Sequence, residues 1–423
     1  MESVNGRNLF HLIRRSLNYV DERLVGHGEQ VAYIVLKLLE EDGGYETRQR
    51  CAIAFTALLH DIGAYKTEEI DNMVRFETKD VWGHSIYGYL FVKYLSPMSQ
   101  YAPAILYHHT DFRDLPQYAC GKENQKLAQV INLADRAALC TEMGDGERIL
   151  EVLNGYRGTK FSPEVLNLLE SALKKGDILE GPNPEAQTAE LERLFDEWTD
   201  ERENEQFLQM LVFSIDFRSR FTVAHTFATA AISVALARIF GMEGAVLEKV
   251  KYGAFFHDLG KVGIPLEILE STDKLSDSEM ALMRSHILLS EEIIKGQIDE
   301  ETALIALRHH EKMDGSGYPK GISGEDLTIP QRIVAIADIV SALNGERSYK
   351  KPFPPEKVKA ILRELADSGK VCPEVTRAML EHFDEIIGEV NRGSRGLYAL
   401  YHKMEDEYRQ ICLQYSVRIE KNC

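Results

Sequence analysis

The sequence lacks several features, and each absence narrows what this 423-residue chain can be. No apolar run approaches the roughly 20 residues needed to span a bilayer, so no membrane span is expected. The opening residues Met1-Glu2-Ser3-Val4-Asn5 lack a basic region followed by an apolar segment, which predicts no secretory signal. The six cysteines (Cys51, Cys120, Cys140, Cys372, Cys412 and Cys423) form no CxxC pair, in a chain large enough not to need disulfides. A reducing cytoplasm is the expected compartment. Positive charge is also scarce: 49 Lys and Arg stand against 67 Asp and Glu, a formal net charge of -18. That balance argues against broad binding to DNA, other nucleic-acid backbones or anionic membranes, all of which attract positive surfaces. A small anionic ligand would have to be held by local cations or metals.

Hydrophobic residues make up 44% and charged residues 27%, enough to bury substantial cores. At roughly 150 residues per domain the length suggests two or three domains, and the organisation favours two. Helical spacing of apolar residues recurs along the chain: Leu9, Leu12 and Ile13, then Val31, Ile34, Val35 and Leu38, with a break near Gly26-His27-Gly28. Between residues 176 and 206 the composition changes to Gly-Pro-Asn-Pro and then a dense acidic run, which predicts a solvated linker or connecting helix. After it the chain repeats itself. His27, His60, His84, His108 and Asp135 recur as His225, His257, His286, His309 and Asp338, at offsets of 198, 197, 202, 201 and 203. Five residues in one order at nearly one offset indicate an internal duplication.

With His109 and His310, which follow His108 and His309 directly, ten of the 13 histidines fall in these two sets. One histidine beside an apolar run, such as His84, is most often a hydrogen-bonded core or capping residue. The conjunction of His, His-Asp, His, His-His and Asp, twice over at helix ends, points instead to metal. Imidazole and carboxylate suit Mn, Fe, Co, Zn or Mg. The carboxylate of a His-Asp pair can bridge two ions, and two metals about 3.5 to 4 Å apart can activate water and polarise a phosphoryl oxygen. Beside the second set stands a turn that no helix needs for its own stability, Met313-Asp314-Gly315-Ser316-Gly317-Tyr318-Pro319. Its glycines suit close backbone approach or positive φ, as they would in a plain surface turn.

His257-Asp258-Leu259-Gly260-Lys261, the His309 to Pro319 stretch, and Ala337-Asp338 through Arg347-Ser348-Tyr349-Lys350 resemble the HD-GYP subfamily of the HD domain superfamily of phosphohydrolases. The resemblance covers roughly residues 207 to 387. It implies an all-helical domain whose metal centre hydrolyses a cyclic dinucleotide, typically cyclic di-GMP, to the linear dinucleotide or mononucleotide. By position it implies metal ligands at His225, His257, Asp258, His286, His309, His310 and Asp338, with Asp258 bridging. Lys261 would meet the scissile phosphate, Arg347 and Lys350 the ligand phosphates, and the GYP turn would shape the site and support contacts to a signalling partner. Two departures stand out. Phe221 replaces the glutamate that helps some members hold a third metal, so two divalent ions (Fe, Mn or another transition metal) are expected. Ser341 replaces an aspartate. The first half resembles an HD domain less closely. Its candidate set is His27, His60, Asp61, His84, His108, His109 and Asp135, but Ala64 stands where Lys261 would be and residues 110–116 replace the GYP turn.

The expectation is therefore an all-α protein of tandem HD-type domains: an HD-like domain over 1–180, a linker over 181–206, an HD-GYP domain over 207–390 and a helical tail over 391–423. The tail would pack on the second domain or form a homodimer contact. The expected activity is metal-dependent cyclic dinucleotide hydrolysis. The alternatives are 3′,3′-cyclic GMP-AMP as the substrate, or a non-catalytic nucleotide sensor. The first domain is expected to be a regulatory or structural metal site or a second catalytic centre.

Overall fold

The computed structural model describes residues 4–19, 26–64, 82–115, 120–142, 148–176, 178–179, 183–219, 222–345 and 353–419. Among them the secondary structure is helical, with short 3-10 turns, isolated bridges and no strand. The chain divides into two compact units, one built from Val4–Met210 with the residues from Asp406 onward, the other from Leu211–Glu405. No described helix is long and apolar enough to cross a membrane, and no disulfide joins the described cysteines.

In the first unit the helices run α1 (Gly6–Asn18), α2 (His27–Asp42), α3 (Thr47–Leu58), α4 (Trp82–Leu95), α5 (Ala102–Leu106), α6 (Lys122–Glu142), α7 (Ile149–Asn154), α8 (Pro163–Lys175) and α9 (Pro184–Trp198), followed by α10 (Glu201–Asp216). Helix starts follow local chemistry: the Asn5 side chain accepts from Asn8 N at 2.8 Å and the Ser162 hydroxyl from Val165 N at 3.1 Å. The Val31, Ile34, Val35 and Leu38 stripe of α2 is fully buried, packed on α3, α6, α8 and α9. The acidic stretch expected as a solvated linker or connecting helix contains α9, a helix that belongs to this unit. Pro184 opens it behind the Asn183 cap, and Leu191 and Phe195 are buried, with Phe195 stacked on Phe55 at 4.1 Å between ring centroids. Of its carboxylates, Glu185, Asp196 and Glu197 are exposed, while Glu190 pairs with Lys37 at 2.8 Å and Glu192 with Arg7 at 2.7 Å.

The second unit continues with α11 (His225–Ile239), α12 (Gly244–Phe256), α13 (Leu266–Leu269), α14 (Asp277–Arg284), α15 (His286–Ile294), α16 (Glu300–Leu307), α17 (Ile329–Asn344), α18 (Pro355–Asp367), α19 (Pro373–Glu381) and α20 (Phe383–Ile419). Capping boxes at Ser276/Glu279 and Thr328/Gln331 start α14 and α17. Helix α11 packs against α12 and α17, the two helices that deliver His257-Asp258 and Asp338. Residues 391–419 of the expected tail belong to one helix with the residues before them. Helix α20 starts at Phe383, and within the second unit Tyr401 meets Phe217 edge-on at 5.3 Å. The helix ends in residues assigned to the first unit, where Tyr408 stacks on Tyr87 at 4.3 Å and Glu407 accepts from the Tyr94 hydroxyl at 2.5 Å.

Candidate metal centre and substrate cavity

Helices end on histidine in both units: α3 runs into His60-Asp61, α5 into His108-His109, α12 into His257-Asp258 and α16 into His309-His310. The last carbonyls of a helix lack intrahelical donors, and these rings supply one. Nδ1 of His60, His108, His257 and His309 donates to the carbonyls of Ala57, Ile105, Ala254 and Ala306 at 2.7, 2.5, 2.6 and 2.7 Å. His286 Nδ1 donates to the Met283 carbonyl at 2.7 Å. A carbonyl only accepts, so each ring carries its proton on Nδ1 and turns its Nε2 lone pair inward.

In the second unit Asp258 lies among these nitrogens. Its Oδ2 is 3.2 Å from His225 Nε2 and 3.1 Å from His257 Nε2, while its Oδ1 is 3.4 Å from His286 Nε2. Asp338 Oδ1 is 3.1 Å from His225 Nε2, and its Oδ2 is 3.8 Å from His310 Nδ1. The first unit repeats the pattern. His27 Nε2 is 3.2 Å from Asp135 Oδ1, His60 Nε2 is 3.1 Å from Asp61 Oδ2, and His84 Nε2 is 3.6 Å from Asp61 Oδ1.

Four clusters of donor atoms result, each with its atoms within 4.8 Å of one another: His225, His257 and Asp258; His286, His309 and His310; His27, His60 and Asp135; and Asp61, His84, His108 and His109. Nε2 of His60, His108, His286 and His309 is buried without a hydrogen-bond partner. An unsatisfied buried polar atom is costly, and a cation would relieve that cost. The donor sets therefore fit divalent metal in both units.

The electrostatics of the second unit fit a charged ligand. Burial works to lower the pKa of His225, but hydrogen bonds to Asp258 and Asp338 push it up to about 9. Burial works to raise Asp258, yet the neighbouring His257 and Lys261 hold it well below the usual carboxylate range. Lys261 Nζ sits 2.5 Å from Asp258 Oδ2. Burial opposes its charge, but Asp258 outweighs that and raises its pKa, so Lys261 stays cationic.

The surrounding residues hold this arrangement. Gly260 follows His257-Asp258 by two, and a Cβ there would collide with the His286 carbonyl; Gly63 meets the His84 carbonyl in the same way. The glycine of each His-Asp-x-Gly thus permits close backbone approach. Ser341, where the resemblance leads one to expect aspartate, donates to the Asp338 carbonyl at 2.9 Å and receives His225 Nδ1 at 3.0 Å. Arg218 donates to the carbonyls of Lys261 and Val262 at 2.5 and 2.6 Å. In the GYP turn Gly315 has φ 75°, and a Cβ on Gly317 would strike the backbone at Glu311 and Lys312. Buried Glu311 closes the turn by accepting from Lys320 N at 2.8 Å and Ile322 N at 3.0 Å. Tyr318 then packs on the His310 ring at 4.7 Å.

A cavity of about 630 Å³ opens beside this centre, within the roughly 300 to 1,000 Å³ of small-molecule pockets. His225, Lys261, His286, His310, Tyr318 and Asp338 line one part, and Asn391, Ser394, Arg395 and Tyr398 of α20 another. All seven residues expected as ligands in each half are brought together. Arg347, Lys350 and Phe221 lie outside the described residues. Sequence reasoning missed Glu311, Arg218 and Arg395. Glu311 directly follows the His-His pair and could have been read with it; the two arginines carry no local signal.

Family models described as HD domain match residues 24–139 and 208–375. A 3′3′-cGAMP-specific phosphodiesterase 1 of Vibrio cholerae serotype O1 is 27% identical over 420 residues, covering 94% of this chain and 94% of that protein. A cyclic di-GMP phosphodiesterase of Thermotoga maritima is 35% identical over 241 residues, 56% of this chain and 62% of that one. The crystal structure of a cyclic GMP-AMP specific phosphodiesterase of V. cholerae matches with a TM-score of 0.57 at 18% identity, over 90% of this chain and 98% of that chain, a likeness of fold. Helical bundles closed around His and Asp at helix ends define the HD domain superfamily, and this chain belongs to it. It carries two such domains, the second of the HD-GYP type with Gly317-Tyr318-Pro319 beside its centre.

Proposed function

We propose that the second unit is the catalyst: a metal-dependent phosphodiesterase that opens a cyclic dinucleotide, cyclic di-GMP in the first instance, to the linear dinucleotide or mononucleotide. The observation that carries this reading is the placement of Asp258, whose two oxygens face two different histidine groups, directly behind Lys261, His225 and His286, which line the cavity. His225, His257, Asp258, His286, His309, His310 and Asp338 would hold two divalent ions. Bound metal supplies activated water and neutralises charge developing on the phosphoryl group.

The chain's own residues do the rest. Asp258 and the Nδ1-anchored histidines are set in place before substrate arrives, so little reorganisation accompanies reaction. Lys261, held protonated, orients the scissile phosphate, and its backbone is pinned by Arg218. Arg395 provides a second cation at the cavity wall for the other phosphate, supplemented by Arg347 and Lys350 as the resemblance implies. Tyr318 lines the same cavity, which gives the GYP turn a role toward substrate. A cytoplasmic setting goes with such a signalling nucleotide.

3′,3′-Cyclic GMP-AMP is the second reading, favoured by the V. cholerae relative that matches along nearly the whole chain. Metal-loaded full-length protein incubated with cyclic di-GMP, cyclic GMP-AMP and cyclic di-AMP should hydrolyse at least one of the first two. If every substrate is left intact, the proposal fails; tight binding without turnover would identify a sensor.

A further inference from the structure

We infer that the first unit binds one metal ion where the second binds two, because Arg136 removes His109 and His84 from the ligand set; the comparison rests on the metal reading above. Arg136 follows Asp135 on α6, at the place where Ile339 follows Asp338 on α17. Its side chain is 3% exposed, with Nη2 3.2 Å from His109 Nδ1 and Nε 3.5 Å from Asp135 Oδ2. A guanidinium has donors and no acceptor. His109 Nδ1 must therefore accept, which puts the ring proton on Nε2. That nitrogen lies 3.0 Å from His84 Nε2 and donates to it.

The chain of hydrogen bonds from Arg136 through His109 to His84 uses both nitrogen lone pairs that would otherwise face an ion. Of Asp61, His84, His108 and His109, only Asp61 and His108 keep an uncommitted donor atom, fewer than the three protein ligands of an ordinary transition-metal site. The other cluster survives: His27, His60 and Asp135, with Asp61 Oδ2 3.1 Å from His60 Nε2. In the second unit the corresponding nitrogens stay open. His310 Nδ1 faces Asp338 Oδ2 at 3.8 Å, and His286 has its proton committed to Met283, leaving Nε2 without a partner. Ile339 has no donor to impose the other tautomer.

A one-ion centre lacks the second cation of a two-metal clamp. The first unit is thus not a second copy of the same catalyst, even though its seven side chains look complete in sequence.

The test is metal content by elemental analysis of full-length protein reconstituted with Mn(II), together with its electron paramagnetic resonance spectrum. Wild type should carry three ions per chain. The His257→Ala, Asp258→Ala chain should retain one, with the six-line signal of an isolated Mn(II); two ions with an exchange-coupled signal would overturn the inference. Adding Arg136→Met to that chain should raise the content from one ion to two. As a check that does not depend on that double variant folding, His109→Ala in the otherwise native chain should leave the content at three, whereas loss of an ion would overturn the inference. If content does not fall on His257→Ala, Asp258→Ala substitution, the reading of the second unit fails, and His60→Ala, Asp61→Ala then counts the first unit directly.

Discussion

The two units place corresponding side chains at nearly the same separations, yet differ in almost everything around them. His27 to Asp135 and His225 to Asp338 measure 3.2 and 3.1 Å, and His60 to Asp61 and His257 to Asp258 both measure 3.1 Å. Lys261 covers Asp258, but Ala64 holds the equivalent place in the first unit. The turn after His309-His310 brings Tyr318 to the cavity, whereas after His108-His109 the chain pairs with its own unit, Phe112 N donating to the Lys160 carbonyl at 2.9 Å. A ligand scaffold set by helix ends is easily duplicated; what it does depends on neighbours that duplication does not preserve.

The largest test of this contrast is ligand removal. His257→Ala with Asp258→Ala should lower cyclic dinucleotide hydrolysis by about a thousand-fold or more, since metal contributes several kcal/mol to transition-state stabilisation. The matching His60→Ala, Asp61→Ala variant should keep that activity while losing metal. Comparable loss in both would erase the distinction. Next comes Lys261→Ala, expected to cost about 10²- to 10³-fold in kcat with unchanged metal content; a fall in metal content would recast Lys261 as structural.

Ser341→Ala removes the hydroxyl that receives His225 Nδ1, and metal affinity measured by competition with a chelator should weaken about 10-fold. Arg395→Ala should raise KM by about tenfold through loss of one charged hydrogen bond, with kcat and the rate on a small phosphodiester such as bis(p-nitrophenyl) phosphate unchanged. Smallest in its difference between units is Gly63→Ala against Gly260→Ala. Each should destabilise by about 1 to 3 kcal/mol in thermal or denaturant unfolding, because each introduces a Cβ against a histidine carbonyl. A marked inequality would mean that the shared scaffold is less alike than its distances.

Much of this was legible in sequence for a physical reason. Helix termini are local events, so His60-Asp61 and His257-Asp258 could be placed at helix ends without knowing what packs against them. The stretch around α9 reads as a linker or connecting helix because its carboxylates outnumber the two apolar residues, Leu191 and Phe195, that bury it.

Sequence by itself determined the donor types, their order and their duplication, since imidazole and carboxylate chemistry and i−3 carbonyl geometry need no tertiary partner. Only the tertiary structure decided that Arg395 of α20 lines the cavity, that Ser341 serves His225, and that Arg136 sits on His109. Helical periodicity states which face of a helix a residue occupies; which neighbouring helix meets that face is settled by packing, and there the two units part.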